Sequence, residues 1–111
     1  MRVAVIGSRG LSVPDLAQYL PPETTAIVSG GARGVDTSAR QYAQQNGLEL
    51  IEFLPYYRRY GRGAPLRRND AVVEAADYVV AFWDGFSHGT TYVIKRCIAL
   101  GKPYEIHICT K

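Results

Sequence analysis

The chain has 111 residues, 47% of them hydrophobic and 21% charged, with a net charge of +3. That is one domain, residues 1–111, large enough to bury a core and too apolar to stay disordered. No apolar run reaches the length of a bilayer span, which excludes a membrane helix. The elements then alternate. Val3 to Ile6 is a buried strand ending at Gly7. Ser12 caps a helix, with Pro14 in its first turn, that runs to about Leu20. Thr25 to Val28 is a second strand. Asp36 or Thr37 opens a helix that ends near Asn46 and stops at Gly47. Leu48 to Phe53 is a third strand, followed by a loop rich in tyrosine and arginine. Pro65 or Leu66 starts a helix reaching Ala76, Tyr78 to Trp83 is a fourth strand, and a helix from about Thr90 to Leu100 stops at Gly101. Pro103 to Ile108 is a short edge strand.

Strand and helix alternate five times, and runs such as "VAVIG" and "YVVAFW" suit strands covered on both faces. The expected fold is a Rossmann-like three-layer α/β/α domain with a parallel five-stranded sheet in the order 3-2-1-4-5. That order places a topological switch between the first and fourth strands, where such folds hold ligands. Cys97 and Cys109 have no neighbours at metal-ligand spacing and read as a buried thiol and a tail thiol. The start, "MRVAVIG", reads as a strand rather than a secretion leader. Together these features predict a cytoplasmic protein with no metal and no cofactor.

Three loops at the carboxyl ends of strands carry the unusual residues: "GSRG" (Gly7 to Gly10), "SGGARG" (Ser29 to Gly34) and "WDGFSHGTT" (Trp83 to Thr91). Glycines let a ligand approach the backbone, and the amides at a following helix start favour an anion. Taken singly, each loop is equally well an ordinary tight turn, and Asp36 and Thr37 are ordinary capping residues. Three on one edge point to a shared pocket. The candidate ligand-binding residues there are Gly7, Ser8, Arg9, Gly30, Gly31, Ala32, Arg33, Gly34, Asp36, Thr37, Asp84, Gly85, Ser87, His88, Gly89, Thr90 and Thr91. Neither GxGxxG nor GxxxxGK[ST] occurs, so the dinucleotide and P-loop signatures do not apply.

Several residues carry two readings. Asp36 is a helix cap or an acceptor for ribose hydroxyls. Asp84 precedes Gly85 and suits a turn. Arg68 sits in the first turns of a helix, where the dipole disfavours a cation, which suggests an anionic partner. Asn69 beside it can bond a base, a ribose or the adjoining loop. Trp83 and Tyr56 could stack on a base, although Trp83 also suits the core. His107 reads as structural or exposed. Val93, Ile94, Cys97 and Ile98 form an apolar helical stripe, for core or dimer interface. The segment Tyr56 to Arg68 could be a solvated loop, a lid over a nucleotide, or a single-strand surface; its position before "RRND" favours the lid.

With these residues in view, "VIGSRG", "IVSGGARGVDTSA", "RRND" and "AFWDGFSHGTTYVIKRCIALGKP" together resemble the SLOG superfamily, above all its small single-domain YspA and YpsA-related members. The resemblance covers nearly the whole chain. It implies a Rossmann-like fold that binds nucleotides or nucleotide-derived ligands. Relatives include the lonely-guy phosphoribohydrolases and DNA-processing protein A, whose glycine motif "GGARGVD" resembles. Gly89 and Thr90 match the G-T-x-x-E motif of the lonely-guy enzymes, but Val93 stands at its catalytic glutamate. Arg68 matches their R-K-x-x-M motif, with Asn69 and Val72 at the lysine and methionine. The anion-binding half of the pattern is present and the carboxylate is not.

The resulting expectation is a sensor or sequestering protein for a mononucleotide or an ADP-ribose-like molecule. An alternative is a nucleoside-monophosphate N-glycosidic hydrolase, with Asp36, Asp84 and Arg68 as its catalytic candidates. The remaining alternative is binding of single-stranded nucleic acid. A homo-oligomer, most simply a dimer, is expected, and no membrane partner.

Overall fold

The computed structural model describes residues 1–31 and 34–109. Five strands, β1 (Arg2–Gly7), β2 (Ala26–Ser29), β3 (Glu49–Glu52), β4 (Tyr78–Trp83) and β5 (Tyr104–Ile108), form one sheet in the order β3-β2-β1-β4-β5, all pairs parallel. Both the class and the order are those read from the sequence. Four helices accompany them: α1 (Val35–Gln45), α2 (Tyr57–Tyr60), α3 (Ala64–Ala75) and α4 (His88–Leu100).

Side-chain alternation divides the core into two layers. Val3 and Val5 of β1, Ile27 of β2 and Val80 and Phe82 of β4 face one way, onto Val35, Ala39 and Ala43 of α1. Ala4 and Ile6, Val28, and Val79 and Ala81 face the other way, onto Val72 and Val73 of α3 and Val93 and Cys97 of α4. A strand that is apolar at every position must be covered on both faces, and here it is. Small residues (Ala4, Ala81) on the α3 and α4 face let those helices approach the sheet.

Three expectations are corrected. The helix from Ser12 to Leu20 shrinks to a single 3-10 turn, Leu16–Tyr19. The Val13 N–H is taken by Ser38 Oγ of α1 at 3.0 Å, so the segment serves as an irregular plug that drives Leu11, Val13 and Leu16 into the core. Conversely, the tyrosine and arginine loop contains the short α2 and a 3-10 turn, Gly61–Gly63, leading into α3. Helix α4 starts at His88, two residues before the expected Thr90.

The register aligns the strand ends. Gly7 of β1 lies opposite Phe82 of β4, and Ser29 of β2 opposite Glu52 of β3. The loops leaving β1, β2 and β4 therefore open on one edge of the sheet. Among the described residues no helix is long and apolar enough to cross a membrane.

Candidate functional site

A cleft of about 520 Å³ opens at that edge, above the β1–β4 junction. The loop after β1 contributes Ser8 and Arg9, the loop after β2 contributes Gly30, and the loop after β4 contributes Asp84 and Ser87. Asp36 comes from α1, Arg68 and Asn69 from α3, and Gly89 and Thr90 from α4, while Ile6, Val72 and Val93 supply apolar surface.

The first loop is held by packing. A Cβ on Gly7 would fall 2.5 Å from Val35 Cγ2 and 2.6 Å from the Phe82 carbonyl oxygen, so this glycine is required by the meeting of β1, α1 and β4. Ser8 is buried; its N–H donates to the Phe82 carbonyl at 3.1 Å, and its Oγ accepts from the Asp84 N–H at 3.2 Å. The first and third loops are thereby joined.

The second loop is held by a cation. Arg68 reaches across from α3 and donates Nη1–H to the Gly30 carbonyl at 2.7 Å and Nε–H to Asn69 Oδ1 at 2.8 Å. A Cβ on Gly30 would sit 2.5 Å from Nη1, so the absent side chain is what seats the guanidinium. Burial pushes the Arg68 pKa below the ordinary arginine value; Asp36 counteracts this, and the charge of Arg9 adds to it. Arg68 stays protonated, but two cations converge on one partly desolvated wall, where an anion would relieve them both. Gly34 caps α1 with φ +74 and ψ −121, and a Cβ there would lie 2.4 Å from the Arg9 carbonyl oxygen. It permits the first and second loops to cross. Asp36, in the first turn of α1, is 8% exposed on the cleft wall.

The third loop is braced from within. Asp84 Oδ1 accepts from the N–H groups of Phe86 and Ser87, each at 2.8 Å, which gives Asp84 the turn role its place before Gly85 suggested. The Ser87 carbonyl accepts from Trp83 Nε1 at 3.1 Å and from Thr91 Oγ1 at 3.0 Å. These bonds fix the start of α4, whose first-turn N–H groups have no carbonyl partner within the helix. Gly89 presents no side chain there, and Thr90 is buried against the cleft.

The cleft thus brings together Gly7, Ser8, Arg9, Gly30, Asp36, Arg68, Asn69, Asp84, Ser87, Gly89 and Thr90. Gly31, Gly34, Thr37, Gly85, His88 and Thr91 stand off its wall. Ala32 and Arg33 lie outside the described residues. Ile6, Gly10, Pro65, Leu66, Val72 and Val93 line it without having been singled out as binding residues. Pro65 and Val72 stand three residues before and four after Arg68, and that helical spacing was the available signal, since one stripe of α3 must face the same way. Val93 both packs in the core and borders the cleft. Trp83 and Tyr56 do not line it. Tyr56 and Tyr60 instead line a second cleft of about 430 Å³ with Arg67, Asp70 and Glu74 of α3, while Pro65, Leu66 and Arg68 at the end of the same segment line the first. Among the described residues no cluster of three or more His, Cys, Asp or Glu side chains could hold a metal ion.

A model of the YAcAr family, described as the YspA, cpYpsA-related SLOG family, matches residues 1–60. No curated protein matches the chain. Among solved structures, that of DNA processing protein A (DprA) from Streptococcus pneumoniae is similar with a TM-score of 0.77 at 23% identity, over 95% of this chain and 49% of that one. The chain spans about half the length of that protein, and the likeness is one of fold.

Proposed function

This chain belongs to the YspA, cpYpsA-related SLOG family, and from that premise we propose that it binds a small nucleotide-derived ligand in the cleft above β1 and β4, as a cytoplasmic sensor or sequestering protein. The observation that carries this reading is the convergence of Arg9, Arg68 and the first turn of α4 on one cleft of about 520 Å³. Its size is that of a small-molecule site. A phosphate would sit against the Gly89 and Thr90 amides, the Thr90 hydroxyl and Arg9. Asp36 would accept from ribose hydroxyls, and Ile6, Val72 and Val93 would pack against a base. A mononucleotide or an ADP-ribose-like molecule fits this division of labour. Isothermal titration with nucleoside monophosphates, ADP-ribose and cyclic nucleotides tests it: saturable heat from at least one supports the reading, and silence from the whole panel overturns it.

One observation favours a hydrolytic variant of the same reading. Asp36 is a nearly buried carboxylate on the cleft wall, electrostatically coupled to Arg68. It would replace the glutamate whose place Val93 occupies. Release of free base from a nucleoside monophosphate, abolished in Asp36→Asn, would support this; release unchanged in that variant would remove it.

Self-association belongs to the same proposal. Ile98 of α4 and Ile106 and Ile108 of β5 leave apolar surface at one end of the sheet, and a second copy would cover it.

A further inference from the structure

The segment 53–69 contains five arginines, Arg58, Arg59, Arg62, Arg67 and Arg68, and no aspartate or glutamate. Thirteen Lys and Arg stand against ten Asp and Glu in the whole chain, so eight stand against ten elsewhere. The positive charge of this protein therefore resides in one-sixth of its length. Arg68 is turned into the first cleft; the other four are exposed.

The same segment displays aromatic rings that the fold does not use. None of the residues from Tyr57 to Gly63 is buried. Tyr56 is 58% exposed, Tyr57 56% and Tyr60 39%. Three part-exposed tyrosines within five residues are a costly surface unless something covers them. Arg59 and Arg67 place their guanidinium groups 5.5 and 5.1 Å from the Tyr60 ring centre, cation–π distances. The helical phase of α3 turns Arg67, Asp70, Ala71 and Glu74 to the second cleft and Asn69 and Val72 to the first, with Arg68 on the ridge between, bordering both. The two carboxylates that border the second cleft are already engaged, Asp70 by Arg96 at 3.2 Å and by the Tyr92 hydroxyl at 2.8 Å, and Glu74 by Arg96 at 3.9 Å. They do not offset the arginines.

We propose that the α2 surface, Tyr56 to Arg67, is a second binding site, for single-stranded nucleic acid. Flat rings interleaved with cations match a chain of stackable bases on a phosphate backbone. A duplex keeps its bases stacked and would engage only the charge. An acidic peptide would use the arginines and leave the ring faces idle.

Fluorescence anisotropy on the whole chain tests this, with a labelled oligonucleotide of about 16 nucleotides, the length of an extended single-strand site, made as DNA and as RNA. Binding of either single strand, much tighter than the matching duplex and falling steeply with salt, is expected. Tyr56→Ala with Tyr57→Ala should weaken it about tenfold or more, and Arg58→Ala with Arg59→Ala should weaken it and flatten the salt slope. These side chains are exposed, so circular dichroism melts of both double variants should match the parent and certify the fold. Arg9→Ala, in the first cleft, should leave strand binding unchanged. The proposal is overturned by absent binding at low salt, by equal affinity for duplex, by indifference to the tyrosine pair, by loss in Arg9→Ala, or by capture of anionic vesicles in place of oligonucleotides.

Discussion

Arg68 of α3 donates to the carbonyl oxygen of Gly30 at 2.7 Å, from 38 positions further along the chain. One side chain therefore ties the loop after β2 to α3 and presents its cationic edge to the cleft. The Gly30 carbonyl is buried with its residue, so removing the donor would leave an acceptor unmet at a cost of about 1–3 kcal/mol.

Arg68→Gln should therefore lower both stability and nucleotide affinity, the latter by about tenfold or more, as expected for a lost charge-assisted bond. Gly30→Ala should separate the two effects. Its Cβ meets only the end of a flexible side chain at 2.5 Å, so the guanidinium can shift off the cleft wall and keep another of its N–H groups on the Gly30 carbonyl. Affinity should drop while the melting temperature falls little. Calorimetric titration alongside thermal melts would check this, and a severe loss of stability in Gly30→Ala would contradict it.

Gly34→Ala should behave in the opposite way. Here the new Cβ would collide with backbone, the Arg9 carbonyl oxygen at 2.4 Å, at a residue with φ +74. Neither can yield without moving a loop, and such backbone positions cost about 1–3 kcal/mol before the clash is added. A melt lowered by 10 °C or more, on the order expected for a domain of this size, is the predicted readout.

Tyr78 and Glu105 predict the pH profile. The Tyr78 hydroxyl donates to Glu105 Oε1 at 2.6 Å between adjacent strands. The bond pushes the Tyr78 pKa up to about 12. It also holds Glu105 below its ordinary value, with His107 adding to the effect. A depressed carboxylate stabilises the fold above its unfolded pKa and loses that contribution as pH falls through the folded one. A raised tyrosine stabilises below pH 10 and loses its contribution as pH climbs toward about 12. Tyr78→Phe should flatten both limbs of a plot of melting temperature against pH; parallel curves for parent and variant would refute the assignment.

The two thiols should differ in reactivity. Cys97 is fully buried and its pKa is raised by burial, whereas Cys109 is partly exposed and both are free. A thiol reagent under native conditions should label Cys109 rapidly and Cys97 only on unfolding. Fast native labelling of Cys97 would show that α4 leaves the sheet more readily than its packing implies.

Ile108→Lys should abolish self-association if β5 forms the interface, because a lysine there cannot be buried without a partner charge. Light scattering across a concentration series would decide, with the parent shifting toward a dimer and the variant remaining monomeric.

The sheet order was legible because β1 from Val3 to Ile6 and β4 are continuous apolar runs, which suit strands covered on both faces. The three loops were legible as a set because parallel strands send all such turns to one edge. What each glycine does there was not. Gly7, Gly30 and Gly34 look alike in the sequence, yet one is fixed by Val35, one by Arg68 and one by a crossing backbone. Those partners lie 28 and 38 residues away from the first two and 25 away, in another loop, for the third, and no local pattern announces them. The plug at 11–16 escaped for the same reason: Ser12 and Pro14 give a helix signal, but Ser38 on a different element claims the Val13 amide. The four-residue α2 is too short to leave any periodicity.

The cleft wall begins at Ile6 and ends at Val93, so its parts straddle the seam between β1 and β4. An occupant wedged there acts as a clasp: the halves of the sheet cannot part while it remains. A bound molecule must leave before the seam can open, so amide exchange along both central strands should slow with saturation, even at positions the molecule never touches.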